Sequence, residues 1–241
     1  MRGTSRESSN WMSLSDMMTG LMIIFLFIAI AYMADQKRQT QKFKEYAVLQ
    51  NELYQDLQSA LEEIEEVKVK PDLSIVISNE SSTFTFGKDD LSRAFKATLD
   101  TFYEAYLDVL LDDKYRAFIS EVRIEGHTDK APYKKGESKD PFISNVELSQ
   151  DRARHVLEYL WSTDRIQKSS NDIIEILEYW FTANGLSYGR MVNFEGKLIH
   201  RLEKTEAKLI PNDDASRRVE FRIVTNAANL IDEYNKKNSN D

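Results

Sequence analysis

At 241 residues the chain has room for one ordinary soluble domain plus extra segments, and its apolar residues are gathered in one stretch rather than spread evenly. A formal net charge of -8 argues against nucleic acid as a partner for the bulk of the chain. With no cysteine there is no disulfide, thiolate metal site or cysteine nucleophile, and His127, His155 and His200 are too few for a histidine-rich metal site, so no metal is expected.

Residues 1–10 form a short polar tail, and residues 11–33 are the first element. Between Ser8 and Ala34 the only charged residue is Asp16, and the 17 residues from Met17 to Met33 carry no charge. With the turn Trp11–Asp16 in front, this stretch is long enough to cross a hydrocarbon core of roughly 30 Å as one helix. Trp11 and Tyr32 stand near its two ends, where amphipathic rings favour the membrane interface. A signal peptide is the first competing reading, because Arg2 and Arg6 precede the run and Ala29-Ile30-Ala31 is a small-x-small site. The run exceeds the usual apolar core of about 7–15 residues, however, and an acid at its head is atypical. A buried helix of a soluble protein is the second, and nothing else in the chain is hydrophobic enough to surround it. The basic flanks do not fix orientation: Arg2 and Arg6 stand on one side, Lys37, Arg38, Lys42 and Lys44 on the other. The nature of the C-terminal domain has to decide it.

Asp16 is the most informative residue of this helix. An ionised carboxylate in hydrocarbon costs several kcal/mol, so such a group faces a partner or a water path. Ser13, Asp16 and Gly20 fall on one helical face, with Thr19 adjoining, and this small polar face suits close helix packing. The alternative is an acid that only caps the helix start at headgroup level. The run Trp11-Met12-Ser13-Leu14-Ser15-Asp16-Met17-Met18-Thr19-Gly20-Leu21-Met22 resembles the membrane helix of MotB-like stator subunits. That resemblance implies an ion-carrying role for Asp16, with Thr19 beside it, and a transported proton or sodium ion in place of any cofactor.

Residues 34–70 are strongly charged. Phe43, Tyr46, Gln50, Leu53, Leu57, Ala60, Ile64 and Val67 follow a 3-4 alternation, which predicts a parallel two-stranded coiled-coil stalk. A single amphipathic helix lying on its own domain is the alternative. The MotB-like resemblance favours the homodimer.

From Asp72 onward short strands alternate with helices. Strands are predicted at Leu73–Ile77, Phe84–Phe86, Val122–Gly126 and Arg217–Val224. Helices are predicted from Leu91 to Leu110, from Asn145 through Leu160, and at about Asp172–Thr182. This is an α/β fold of the α+β sandwich type, with a sheet carrying helices on one face. Glu125-Gly126-His127-Thr128-Asp129, then Asn145-x-x-Leu148-Ser149-x-x-Arg152-Ala153, then Arg217-Arg218-Val219-Glu220 resemble the OmpA-like peptidoglycan-binding domain over residues 72–226. The resemblance implies that Asp129 and Arg152 hold the diaminopimelate of the wall stem peptide, with Thr128, Asn145, Leu148 and Arg218 lining the site. Charge agrees: a carboxylate suits the ligand ammonium, and a guanidinium can fork onto its carboxylate. Taken singly, Asp129 could be a turn residue, Asn145 a helix N-cap and Arg152 a surface ion pair, while His127 reads as structural. The chain departs from the family in a long Lys130–Ser144 loop, in Ser216 before the paired arginines, and between Gly189 and Asp214. Residues 227–241 read as a flexible tail.

No nucleotide motif or catalytic triad is visible, so an enzyme is not expected. The resemblances together imply the B subunit of an ion-driven motor. It would sit once through the inner membrane with its N-terminus cytoplasmic and its C-terminal domain periplasmic. Its partners would be a second copy, a pentameric MotA- or ZorA-like membrane subunit, and peptidoglycan. The short N-tail, long stalk and Asp-Met-Met-Thr-Gly-Leu-Met helix resemble the B subunits of Zorya anti-phage defence more than flagellar ones. A flagellar stator subunit and a passive wall anchor without ion transport are the alternatives.

Overall fold

The computed structural model describes residues 5–77, 91–133, 138–199 and 210–226, with side chains from residue 14 onward. The strand expected at Phe84–Phe86, the 227–241 tail and His200 lie outside the described residues. The chain divides into two compact units, residues 1–48 and 49–241.

Helix α1 (Ser5–Leu61) is continuous and contains the apolar segment. It is the one helix among the described residues long and apolar enough to cross a membrane. The stalk expected over 34–70 is corrected at its far end. The helix stops at Leu61, and Val67–Val69 form strand β1. Leu53, Leu57 and Leu61, one turn apart, are fully buried within the second unit. On the same helix end Asp56 accepts a hydrogen bond from the Tyr115 hydroxyl, and Glu52 pairs with Lys114 at 3.0 Å. The last turns of α1 therefore belong to the core of the C-terminal domain.

That core is built on a five-stranded sheet of β1, β2 (Ser74–Ile77), β3 (Ile119–Gly126), β4 (Phe181–Gly185) and β5 (Val219–Thr225), in the order β1-β2-β5-β3-β4. Only β3 and β4 run parallel. Alternation sorts the faces. Ile75 pairs with Phe221, Ile77 with Val219, Val122 with Ile223 and Ile124 with Phe221, which gives one apolar face. Helix α2 (Arg93–Leu110), capped by Ser92, lays its stripe of Phe95, Leu99, Phe102, Tyr103 and Tyr106 here. Phe102 and Phe221 rings lie 4.8 Å apart, within the favourable range for aromatic pairs. The opposite face carries Arg123, Glu125, Glu220 and Arg222.

Short helix α3 (Asp113–Arg116) leads into β3, and α4 (Pro141–Ser162) follows it. Asp140 caps α4 through the amides of Phe142 and Ile143, with Pro141 at the first position. The helix therefore starts inside the expected 130–144 loop, and Asn145 lies one turn in rather than at the cap. Helix α5 (Asp164–Gln167) connects to α6 (Asn171–Trp180), which passes directly into β4. The helix predicted to reach Thr182 ends earlier, because Phe181 pairs with Val122 and Thr182 with Arg123. The run Tyr179-Trp180-Phe181 is apolar in either period, and sheet pairing decides it. Helix α7 (Asp213–Ser216) precedes β5.

Candidate functional site

Two glycines fix where α4 lies. A Cβ on Gly126 would stand 2.1 Å from the Ser149 carbonyl oxygen, and one on Gly185 would stand 2.5 Å from the Gln150 amide. These glycines are paired in register at the ends of β3 and β4. Only hydrogen there lets the α4 backbone cross both strand ends so closely. The Gln150 side chain then clamps helix to strand, donating to the Ala183 carbonyl and accepting from the Gly185 amide.

This crossing sets the β3 exit against one face of α4. Asn145, Leu148 and Arg152 are spaced i, i+3, i+7, and all three are buried. Asn145 donates through Nδ2 to the carbonyls of Ala131 (3.1 Å) and Pro141 (2.9 Å). Asp129 Oδ1 accepts the Ala131 amide at 2.8 Å, so Ala131 is held from both sides. The Thr128 amide donates to the Ser187 carbonyl, and the Ser187 amide donates to the Ser149 hydroxyl. Thr128, Asp129 and Asn145 are thereby gathered by a web of backbone-directed hydrogen bonds at the end of β3, and Leu148 and Arg152 continue the buried face of α4 that begins at Asn145.

Arg218 does not join them. Its backbone carbonyl accepts from the His127 amide, but its side chain pairs with Glu220 at 3.0 Å on the charged sheet face. The arginine on Asp129 is Arg217, whose Nη1 donates to Oδ2 of Asp129 while Nη2 reaches Asp214. Sequence reasoning passed over Arg217. Strand alternation carries the signal: Val219, Phe221 and Ile223 face the helices, so Arg217 shares their side and emerges just beyond the strand, where Asp129 lies.

The charged sheet face is a network of its own. His127 Nε2 lies 3.2 Å from Glu220, which also takes Lys70 at 2.8 Å, and Glu125 takes Arg190 at 3.2 Å and Arg222 at 3.3 Å. Burial pushes the His127 imidazole down to about 4, and neighbouring Arg218 adds to this. Burial works against the charge of Glu220, but His127, Arg218 and Lys70 outweigh it and hold the carboxyl well below the usual range. Donor atoms of Glu125, His127 and Glu220 lie within 4.8 Å of one another. Four cations already serve their two carboxylates, so a divalent ion would meet net repulsion, and the cluster is an ion-pair network.

In α1 the apolar segment is exposed throughout, with Met17, Leu21, Phe25 and Ile28 each more than half exposed. Asp16 is exposed among them. Thr19 Oγ1 donates to the Ser15 carbonyl at 2.8 Å, so its hydroxyl proton is spent within the helix. A surface of this kind is suited to lipid or to partner helices.

Residues 83–188 match the OmpA family. The Zorya protein ZorB of Escherichia coli strain Crooks is 35% identical over 234 residues, covering 92% of this chain and 90% of that protein. Among solved structures, a MotB-like protein from Desulfovibrio vulgaris superposes with a TM-score of 0.47 at 19% identity, covering 76% of this chain and 98% of that one. The cell wall anchor of the type VI secretion system from Pseudomonas aeruginosa gives 0.41 at 20%, covering 70% and 94%. At this identity and near-complete mutual coverage, with a lone acid in an exposed apolar helix and an OmpA-type domain behind it, the chain belongs to the ZorB family.

Proposed function

We propose that this protein is the wall-anchored B subunit of an ion-driven inner-membrane motor acting in anti-phage defence. The observation that carries this reading is one uninterrupted helix. It holds an isolated carboxylate, Asp16, in its apolar part and ends as a core element of an OmpA-family domain. The N-terminus is cytoplasmic and the domain periplasmic, where a peptidoglycan ligand is available. Two copies pair through the helix before the domain, around Phe43 and Tyr46. Their membrane helices are surrounded by a pentameric A subunit.

Each part has a chemical task. Asp16 binds a proton or sodium ion, becomes neutral, and releases the ion on the other side. Its helix is flanked by Gly20 and Thr19, small enough for close approach of a partner helix. At the far end, Asp129 takes the ammonium of a wall stem peptide and Arg152 forks onto its carboxylate, with Thr128, Asn145 and Leu148 shaping the site. Held at the wall through this site, the domain keeps the chain from turning when ions pass Asp16.

The anchor is tested by sedimenting the detergent-solubilised full chain with purified sacculi. Arg152→Ala should weaken binding by about 2–5 kcal/mol, the usual loss when one partner of a buried charge pair is removed, with an unchanged far-ultraviolet spectrum. Wild-type protein that fails to sediment with sacculi would remove the wall anchor from the account.

A further inference from the structure

Asp129 is engaged by the chain's own groups. Oδ1 accepts the Ala131 amide, and Oδ2 accepts Nη1 of Arg217, whose other nitrogen holds Asp214. The Asp129 side chain is 9% exposed and that of Arg217 32%, so a cation arriving from solvent meets the guanidinium first. A ligand ammonium reaching this carboxylate competes with the guanidinium for Oδ2, because Oδ1 already accepts the Ala131 amide.

We propose that Arg217 sets the ligand specificity of this site, by yielding Asp129 only to a ligand end that carries an ammonium and a carboxylate together. This rests on the wall-peptide reading above. When the ligand ammonium replaces Arg217 on Asp129, the released guanidinium keeps only Asp214, whose side chain is 68% exposed. A pair that open to water holds it weakly. A ligand carboxylate supplies the missing anion, since its two oxygens can accept from Arg217 as well as from Arg152. A plain amine, such as the side chain of a lysine-type stem peptide, brings the cation but leaves Arg217 uncompensated beside it. Arg217 therefore acts against the wrong ligand as much as for the right one. Arg218, one residue on, has no part in this, because it is committed to Glu220.

Calorimetric titration of the detergent-solubilised full chain with two tripeptides tests this. One ends in meso-diaminopimelate and the other in L-lysine, so they differ only by the terminal carboxylate. Wild type should bind the diaminopimelate peptide more tightly. Arg217→Gln should narrow that preference by roughly tenfold, the scale of one charge-assisted hydrogen bond, chiefly by improving the lysine peptide. Arg217→Lys, which keeps the charge, should retain most of the preference. An unchanged ratio in Arg217→Gln, or equal loss of both peptides, overturns the role of Arg217 while leaving the wall-peptide reading intact. Wild type that binds neither peptide removes that reading and this proposal together.

Discussion

His127 stands where a positive charge is expensive: it is 1% exposed, with Arg218 and Arg190 among its near neighbours. Its folded value of about 4 lies below the ordinary 6.5. Between these values the unfolded chain binds a proton that the folded chain refuses. Stability is therefore fully present above about pH 6.5 and is lost as pH falls toward 4, by about 3 kcal/mol at full extent. Chemical denaturation from pH 7.5 to 4 should show this slope, and His127→Gln, which cannot titrate, should flatten it. An equally steep slope in the variant would show that other groups carry the acid sensitivity. The structural role of His127 was legible from its place in the Glu125–Asp129 run. The cations around it were not, because Lys70, Arg190 and Arg222 come from segments that only the sheet order brings together. That Asn145, Leu148 and Arg152 share one face of α4 was legible from motif spacing, whereas the pairing of Arg217 with Asp129 was hidden by the neighbouring Arg218.

Helix periodicity explains the partial error in the stalk. A coiled-coil seam and the buried stripe of a helix lying on its own domain share the same 3-4 spacing. Sequence alone does not say whether Leu53 and Leu57 meet another copy or the domain behind them. Their burial within the domain decides for the second. Leu57→Ala should therefore destabilise the C-terminal domain by about 2–5 kcal/mol, as expected for a leucine truncated in a packed core, measured by denaturant unfolding. Oxidative crosslinking gives the complementary readout. A cysteine at Tyr46 should join two copies, and one at Leu53 should not, the reverse outcome favouring a seam that runs into the domain. At the other end of the domain, Gly126→Ala places a methyl group 2.1 Å from a backbone oxygen of α4. Neither backbone can give way cheaply, so a loss of roughly 1–3 kcal/mol or more is expected, together with weaker sacculus binding as α4 shifts.

At the scale of the whole molecule, the apolar helix, the α/β domain and the OmpA-family motif were all legible from sequence. Each depends on composition or short spacing, which chain order preserves. The end of α1, the start of α4 and the β4 strand were not, because long-range packing sets them. The central claim is that this chain couples ion flow at Asp16 to a wall-held domain, and Asp16→Asn tests it most directly. Asparagine keeps the shape of the side chain and cannot cycle its charge. The measurement is the efficiency of phage plating on cells expressing the complete system with wild-type or Asp16→Asn protein, alongside copurification of the A subunit. The account predicts normal copurification and loss of protection. Protection equal to wild type with an intact complex would contradict it, and would leave the chain a passive tether between membrane and wall.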